Sequence, residues 1–171
     1  MTKNIPAEGL YNACLDGDAA AVSKLLPRHP GTRLNLSGPR FQHPNNKCVP
    51  LVVAATYGHT EIVRMILERA PNTNVDYVDA DGDAATLGAA LFHHADILRL
   101  LADHGANVSL ADPEEGWTPL SLAVARVPFD AVRARDPDPG GARQLSTVKT
   151  LLRLGAGTLP PLRAPGATPV D

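Results

Sequence analysis

Aromatic residues are scarce in this chain, which has one tryptophan, three tyrosines and three phenylalanines among 171 residues. A single large hydrophobic core usually contains more rings, although 44% of these residues are hydrophobic. A chain that buries small and aliphatic side chains between neighbouring short units does not need them. The composition therefore favours a fold assembled from repeated units over a fold built around one core.

Signals for membranes, nucleic acids and disulfides are also missing. The formal net charge is −2, whereas a nucleic-acid-binding protein usually has a basic face. No apolar run reaches the roughly 18 residues of a membrane span, and the N-terminus has no apolar stretch of signal-peptide type. Two cysteines, Cys14 and Cys48, cannot form a framework of disulfides. We expect a reducing compartment, the cytoplasm or alternatively the nucleus, and no nucleic acid or membrane partner.

The patterns of common catalytic and metal sites do not occur either. There is no Gly-rich phosphate loop, no Gly-x-Ser-x-Gly and no Cys-x-x-Cys. The histidines lack the ligand spacing of a zinc site; those considered are His43, His59, His93, His94 and His104. The acidic run that ends at Asp83 fails as a calcium loop, because counting from Gly82 places Tyr77 first and Gly88 last, where carboxylates are required. We therefore expect no enzyme, metal or cofactor.

The chain does contain one sequence pattern that occurs four times. Each copy has a pair of mostly small residues, then a break in three of the four, then an aliphatic stripe. The pairs and stripes are Ala13-Cys14 with Leu25-Leu26, Ala54-Ala55 with Ile66-Leu67, Ala89-Ala90 with Leu101-Ala102, and Ala123-Val124 with Leu151-Leu152. Small side chains let two antiparallel helices approach closely. The repetition predicts an all-α fold in which each unit is a pair of helices.

Three stretches resemble the ankyrin repeat family. They are Pro50 to Val63, Gly105 to Asp112, and Gly116 to Ala123. The spacing of the units, after allowance for insertions, fits the period of about 33 residues of that family. The resemblance covers about residues 10–157 and implies an ankyrin-repeat solenoid of about four helix-turn-helix units joined by hairpin-like fingers.

The expected domain spans residues 1–157. Its units are about 7–36, 47–78, 79–111 and 112–157, with a Pro- and Gly-rich loop insertion at 127–144. The tail, 158–171, resembles the start of a further, truncated repeat. Since a solenoid needs a polar cap at each end, we expect the C-terminal end to be frayed or covered by another surface, with self-association as one outcome. His93 stands where the family usually has glycine.

The resemblance implies a non-catalytic module, an adaptor or scaffold, that binds another protein or peptide on a concave face. The residues carried over are Thr56, Tyr57, Leu91, Phe92 and Arg126 at the ends of first helices, and Asp81, Asp83, Glu114, Glu115 and Trp117 on the fingers. The first finger is basic and the later ones are acidic, so we expect a partner with a basic segment that lies over the acidic fingers.

Two alternatives remain open at this point. Trp117 either anchors a partner or packs on the adjacent finger, because tryptophan is rarely fully buried. The chain could also be a small enzyme or a small-molecule-binding protein that uses the long first finger and the loop insertion, with His43 and the pair His93-His94 as polar groups. An enclosed polar cavity would favour that second interpretation, and an open groove favours protein binding.

Overall fold

The structure is a computed structural model, and it describes residues 7–27, 36–37, 48–79, 81–125 and 141–157. Eight helices and no strand lie in these ranges, which confirms the predicted all-α solenoid. The helices are α1 (Ala7–Asp16), α2 (Ala19–Leu25), α3 (Pro50–Thr56), α4 (Thr60–Arg69), α5 (Ala85–Leu91), α6 (Ala95–Asp103), α7 (Pro119–Val124) and α8 (Ala142–Arg153). Within the described ranges, no helix is both long and apolar enough to cross a bilayer.

The helices form two rows. The first helices of the units, α1, α3, α5 and α7, pack side by side, and the second helices, α2, α4, α6 and α8, do the same behind them. A continuous cluster of buried side chains runs through the joints between units. The alanines of the repeated pairs, Ala54, Ala55, Ala89 and Ala90, are fully buried there. Cohesion therefore comes from contacts between neighbouring units, as in other solenoids.

The first helices begin at sites that the sequence marks. Pro50 and Pro119 occupy the first helical positions, where the missing N–H of proline costs nothing. A capping box starts α7: the Thr118 hydroxyl accepts from the Ser121 N–H at 3.2 Å, and the Ser121 hydroxyl accepts from the Thr118 N–H at 2.8 Å. The residue before α5 is Ala84, which offers no side-chain cap. The fourth unit thus has the better-capped first helix.

Histidines join the second and third units to the units that precede them. The His59 Nε2 atom lies 3.2 Å from the Leu15 carbonyl oxygen, and the His94 Nε2 atom lies 3.1 Å from the Thr56 carbonyl oxygen. Both acceptors are at the C-terminal end of a first helix, where carbonyl groups lack partners inside the helix. These bonds give both histidines a structural role at the joints between units.

The fingers repeat one another in detail. Asn74 and Asn107 each accept the N–H of the residue two positions ahead, and they are 33 residues apart. The Asp76 carboxylate also accepts from the Asn107 N–H at 2.8 Å, and the Ser109 hydroxyl accepts from the Gly157 N–H at 3.1 Å. These bonds tie successive fingers together and fix their spacing.

The boundary expected for the loop insertion differs from the structure. Helix α8 begins at Ala142, so residues 142–144 of the segment 127–144 are helical. The Gln144 amide donates to the Ala123 carbonyl oxygen at 3.0 Å, which satisfies an unpaired acceptor at the end of α7. The local content of Pro and Gly cannot reveal this contact between two helices, so the expected insertion extended too far. The rest of the insertion up to residue 140, and the tail 158–171, lie outside the described residues.

Candidate protein-interaction surface

Tyr57 is the most exposed aromatic side chain on the described surface. It is the C-terminal cap of α3, and 54% of its surface is accessible. Gly58 follows it with a φ of +80°, which turns the chain away from the helix. The Tyr57 ring stacks on the His59 ring at a centroid distance of 6.4 Å and an angle of 10°. Because the Leu15 carbonyl oxygen holds His59, the tyrosine ring has a fixed support.

Phe92 occupies the equivalent position one unit later. It is the C-terminal cap of α5, and α5 packs directly on α3. Phe92 and its neighbour Leu91 are partly buried. The structure thus places two aromatic residues at the same end of adjacent first helices. Tyr57 is exposed and Phe92 is partly buried.

Thr56, one of the residues expected on the binding face, makes contacts inside the fold. The Thr56 hydroxyl donates to the Val52 carbonyl oxygen at 2.9 Å. The same hydroxyl fills the space next to Gly88 that a Cβ atom would need. Thr56 therefore serves the contact between α3 and α5. Arg126 lies outside the described residues.

The acidic residues expected on the finger tips are exposed. We call Asp81, Asp83, Glu114 and Glu115 the acidic finger face; each is solvent-exposed. Protein atoms still cover part of the Asp83 carboxyl, and this partial burial, followed by the charges of Asp79, Asp81 and Asp112, raises its pKa above the ordinary value. Among the described residues, side-chain ion pairs join Glu61 to Arg64 and Asp96 to Arg99, and both lie on second helices.

Trp117 lies along its own finger. Its indole N–H donates to the Glu115 carboxylate at 2.6 Å, and the ring is partly buried. This bond orients both side chains on the third finger. The basic residues expected on the first finger, which are Arg28, Arg33, Arg40 and Lys47, lie outside the described residues.

Asp79 differs from the exposed carboxylate that its neighbours suggest. Only 6% of its surface is accessible. Its Oδ1 atom accepts from the N–H groups of Asp81 and Asp83 at 3.1 and 2.9 Å. Its Oδ2 atom is buried and, apart from the neighbouring Cys48 thiol, has no hydrogen-bond partner within the described part of the chain. Burial is the largest cause that raises the pKa of this carboxyl.

Cys48 lies beside this carboxylate. The Cys48 sulfur, one carboxylate oxygen of Asp79 and one of Asp83 are within 4.8 Å of one another. Burial, and next the Asp79 carboxylate, raise the pKa of the Cys48 thiol well above its ordinary value. Sequence reasoning left Cys48 open and missed the cluster. A usable signal exists: Cys48 and Asp83 precede Val49-Pro50 and Ala84-Ala85, equivalent positions 35 residues apart that stack in a repeat array.

The last described unit leaves a groove beside its finger. Val108, Leu120 and Ala156 are among the residues that line this open groove of about 320 Å³. Gly116, on the same groove, has a φ of +75° and no atom within 4 Å of the position of an added Cβ. In the second finger the same space beside Gly82 holds the Asp112 carboxylate. The groove is thus the place that a further finger would fill.

Comparisons with known proteins agree with this architecture. The family model described as ankyrin repeats (3 copies) matches residues 10–112. The chain is 32% identical over 118 residues, 68% of its length, to a probable E3 ubiquitin-protein ligase, XBOS33, of Oryza sativa subsp. japonica, of which it covers 21%. It is 24% identical over 115 residues, 67% of its length, to the NF-kappa-B inhibitor cactus of Drosophila yakuba, of which it covers 21%.

The cactus protein of Drosophila melanogaster gives the same identity over the same length, with 20% of that protein covered. The chain thus spans about a fifth of the length of these relatives. The family model covers more than half of the chain, and the helix pairs, fingers and bridging histidines follow one pattern through the region matched. The chain belongs to the ankyrin repeat family.

Proposed function

We propose that this chain is a non-catalytic protein-interaction module, an adaptor or scaffold, that binds its partner on the face formed by the ends of the first helices and the finger tips. The observation that carries the proposal is the Tyr57 ring, 54% exposed and stacked on a fixed histidine. Ankyrin repeat proteins bind other proteins through such extended surfaces.

Tyr57 and Phe92 are the proposed anchors. Tyrosine and tryptophan are enriched among the residues that carry most of the binding energy of an interface. An aromatic side chain with few rotatable bonds also loses little conformational entropy on binding. Tyr57 is already held against His59, so its preferred position before binding supports an anchor role. Leu91 at the end of α5 and Trp117 just before α7 are partly buried. They complete the apolar part of the proposed surface.

The acidic finger face supplies the electrostatic part of the proposal. Its four carboxylates form no ion pair within the described ranges. After burial and the charge of Asp79, repulsion from Asp81 contributes to the raised pKa of Asp83. A basic segment of a partner would relieve this repulsion. Complementary charge increases the association rate and selects partners more than it increases affinity.

The relatives support a binding role in general terms. Cactus is by name an inhibitor of NF-kappa-B, and a protein can inhibit another protein by binding it through its repeats. We infer for this chain a partner that is itself a protein or peptide, in the cytoplasm or the nucleus. Its two free thiols, Cys14 and Cys48, suit a reducing compartment.

The alternative of a small enzyme or small-molecule-binding protein lacks support from a described cavity. The groove beside the last finger is open and lined mainly by apolar residues, whereas small-molecule sites usually enclose their ligand. The His94 ring faces the Thr56 carbonyl oxygen. His43 lies outside the described residues.

Affinity capture tests the binding face. The double variant Tyr57→Ala, Phe92→Ala should lose a partner that the native protein captures from a cell extract, as identified by mass spectrometry. Leu152→Ala is the matched control, because Leu152 is a large apolar residue on the second-helix row that is 57% exposed. A partner that survives the double variant and disappears with Leu152→Ala would place binding on the opposite face.

Association kinetics test the charge. With the captured partner, Asp81→Lys with Glu115→Lys should lower the association rate at low salt by about tenfold or more and leave the dissociation rate nearly unchanged. Glu68→Lys with Asp103→Lys makes the same change in net charge on exposed positions of α4 and α6. Equal effects of the two double variants would mean that the acidic finger face has no specific role.

A further inference from the structure

Three ligand-type side chains meet between the segments that lead into α3 and α5. Cys48 comes from the first segment, and Asp79 and Asp83 come from the second. We propose that Cys48, Asp79 and Asp83 form a zinc-binding site that joins these two segments. The proposal concerns the chain itself and does not depend on which partner it binds.

The geometry is close to that of a bound ion. One sulfur and two carboxylate oxygens lie within 4.8 Å of one another. Around tetrahedral Zn²⁺, with bonds of about 2.0 to 2.3 Å, neighbouring ligand atoms are roughly 3.3 to 3.8 Å apart. Bringing the three ligand atoms to this separation requires a movement of about 1 Å. Rotation of the exposed Asp83 side chain can supply it.

The Asp79 carboxylate points independently to a ligand. Asp79 is 94% buried, and apart from the Cys48 thiol of the same cluster its Oδ2 atom has no hydrogen-bond partner in the part of the chain that the structure describes. A thiol is a weak donor, and a buried carboxylate oxygen without a strong partner is costly. The equivalent residue of the next finger, Asp112, instead uses both oxygens, accepting from the N–H groups of Glu114 and Glu115. The second finger therefore keeps a coordination position that the third finger does not have.

The donor set selects the ion. Thiolate and carboxylate oxygen are both normal ligands of Zn²⁺, whereas Ca²⁺ and Mg²⁺ take oxygen ligands and do not favour sulfur. On binding, the Cys48 thiol would release its proton to solvent, and the sulfur–zinc bond would form in its place. Three protein ligands leave a fourth tetrahedral position for water, and the exposure of Asp83 gives solvent access to it.

Such an ion would have a structural consequence. The bonds described between successive fingers are single hydrogen bonds to Thr73, Asn74, Asp76 and Ser109. A metal held by Cys48 on one side and two carboxylates on the other would join the second and third units more strongly. It would also remove negative charge at Asp83, at the edge of the acidic finger face.

Zinc titration of the metal-free full chain tests the site. We expect one Zn²⁺ per chain by calorimetry, with release of a proton. Cobalt(II) should give a sulfur-to-metal charge-transfer band in the near ultraviolet. Cys48→Ser should abolish that band and weaken zinc binding by more than about tenfold, since even loss of an outer-shell partner costs that much. Asp79→Asn should weaken zinc binding as well.

Asp81→Asn is the matched control. Asp81 lies in the same turn and is exposed, and its substitution removes the same charge as Asp79→Asn. It should weaken zinc binding by less than about threefold, because screened surface charges interact weakly. Circular dichroism of each metal-free variant shows whether it folds, and Cys48→Ser decides the question if Asp79→Asn does not. Absence of zinc binding, or binding that Cys48→Ser leaves unchanged, overturns the proposal. Equal losses with Cys48→Ser and Asp81→Asn would indicate attraction by acidic charge and would overturn it too.

Discussion

The His94 ring lies directly over Gly58, so that a Cβ atom added to the glycine would be 2.6 Å from the His94 Cε1 atom. The same relationship links His59 to Gly17, again at 2.6 Å. The turns that end α1 and α3 therefore serve two purposes. The glycine adopts a left-handed φ, and its bare backbone makes room for the histidine that reaches across from the next unit.

Gly58→Ala should accordingly destabilise the protein by about 2–4 kcal/mol, the sum of left-handed strain in a residue with a Cβ atom and overpacking against the ring. Gly105→Ala separates the two causes. Gly105 has a φ of +85°, but no atom lies within 4 Å of an added Cβ, so it should lose only about 1 kcal/mol. Urea unfolding followed by circular dichroism measures both. Equal losses would show that the contact with His94 contributes nothing.

The hydrogen bond of His94 gives a second prediction. His94→Ala removes the partner of the Thr56 carbonyl oxygen in a partly buried joint, and it should lower the free energy of unfolding by about 1–3 kcal/mol. His104→Ala is the control. The His104 ring is exposed and contacts the Leu100 carbonyl oxygen of its own helix, so its loss should cost less than about 0.5 kcal/mol. Thermal melts compare the two, and similar losses would contradict the bridging role of His94.

Much of the fold could be predicted because the joints repeat. Pro50, the alanine pairs and the histidines after α3 and α5 are local in sequence, and each has a direct physical reason. The candidate interaction residues at Tyr57 and on the fingers follow from the same register. What could not be predicted depends on contacts between residues that are far apart in the sequence. The start of α8 depends on Gln144 meeting the end of α7.

The burial of Asp79 shows the same limit. Its acidic neighbours suggest an exposed finger, and Cys48 is distant in sequence. A search for metal ligands by close spacing therefore finds nothing at this place. Only the stacking of equivalent positions in successive units brings Cys48, Asp79 and Asp83 together.

His93 is the exception among the turns, and it gives a third prediction. It has a φ of +62°, where the first two units have glycine, Gly17 and Gly58. In the second and third units a histidine stands five residues after the first alanine of the pair; counting from Ala123, that residue is Pro128. The fourth unit thus supplies no histidine that would need a glycine at position 93.

Because left-handed backbone is unfavourable for a residue with a Cβ atom, His93→Gly should stabilise the protein by about 0.5–1 kcal/mol. His93→Val should destabilise it, since a β-branched residue tolerates this φ least. The order Gly above His above Val in urea midpoint would support this account. A His93→Gly protein less stable than the native one would show that side-chain contacts of His93 outweigh the strain.

Cys14 gives the last prediction, through its protonation. It is fully buried in α1, and burial raises the pKa of its thiol from 9.0 to about 12. A raised folded-state pKa means that the folded protein favours the protonated thiol. The resulting contribution to stability is complete below pH 9.0 and is lost as the pH rises towards 12.

In a Cys48→Ser background, where Cys14 is the remaining cysteine, a thiol reagent at pH 8 should therefore react only as fast as the chain unfolds. Urea should increase labelling in step with the loss of helical signal, and the Cys14→Ala, Cys48→Ser protein should lose less stability between pH 9 and 10.5. Rapid labelling of Cys14 in native buffer would mean that α1 opens without global unfolding, and that the first unit is not part of the cooperative array.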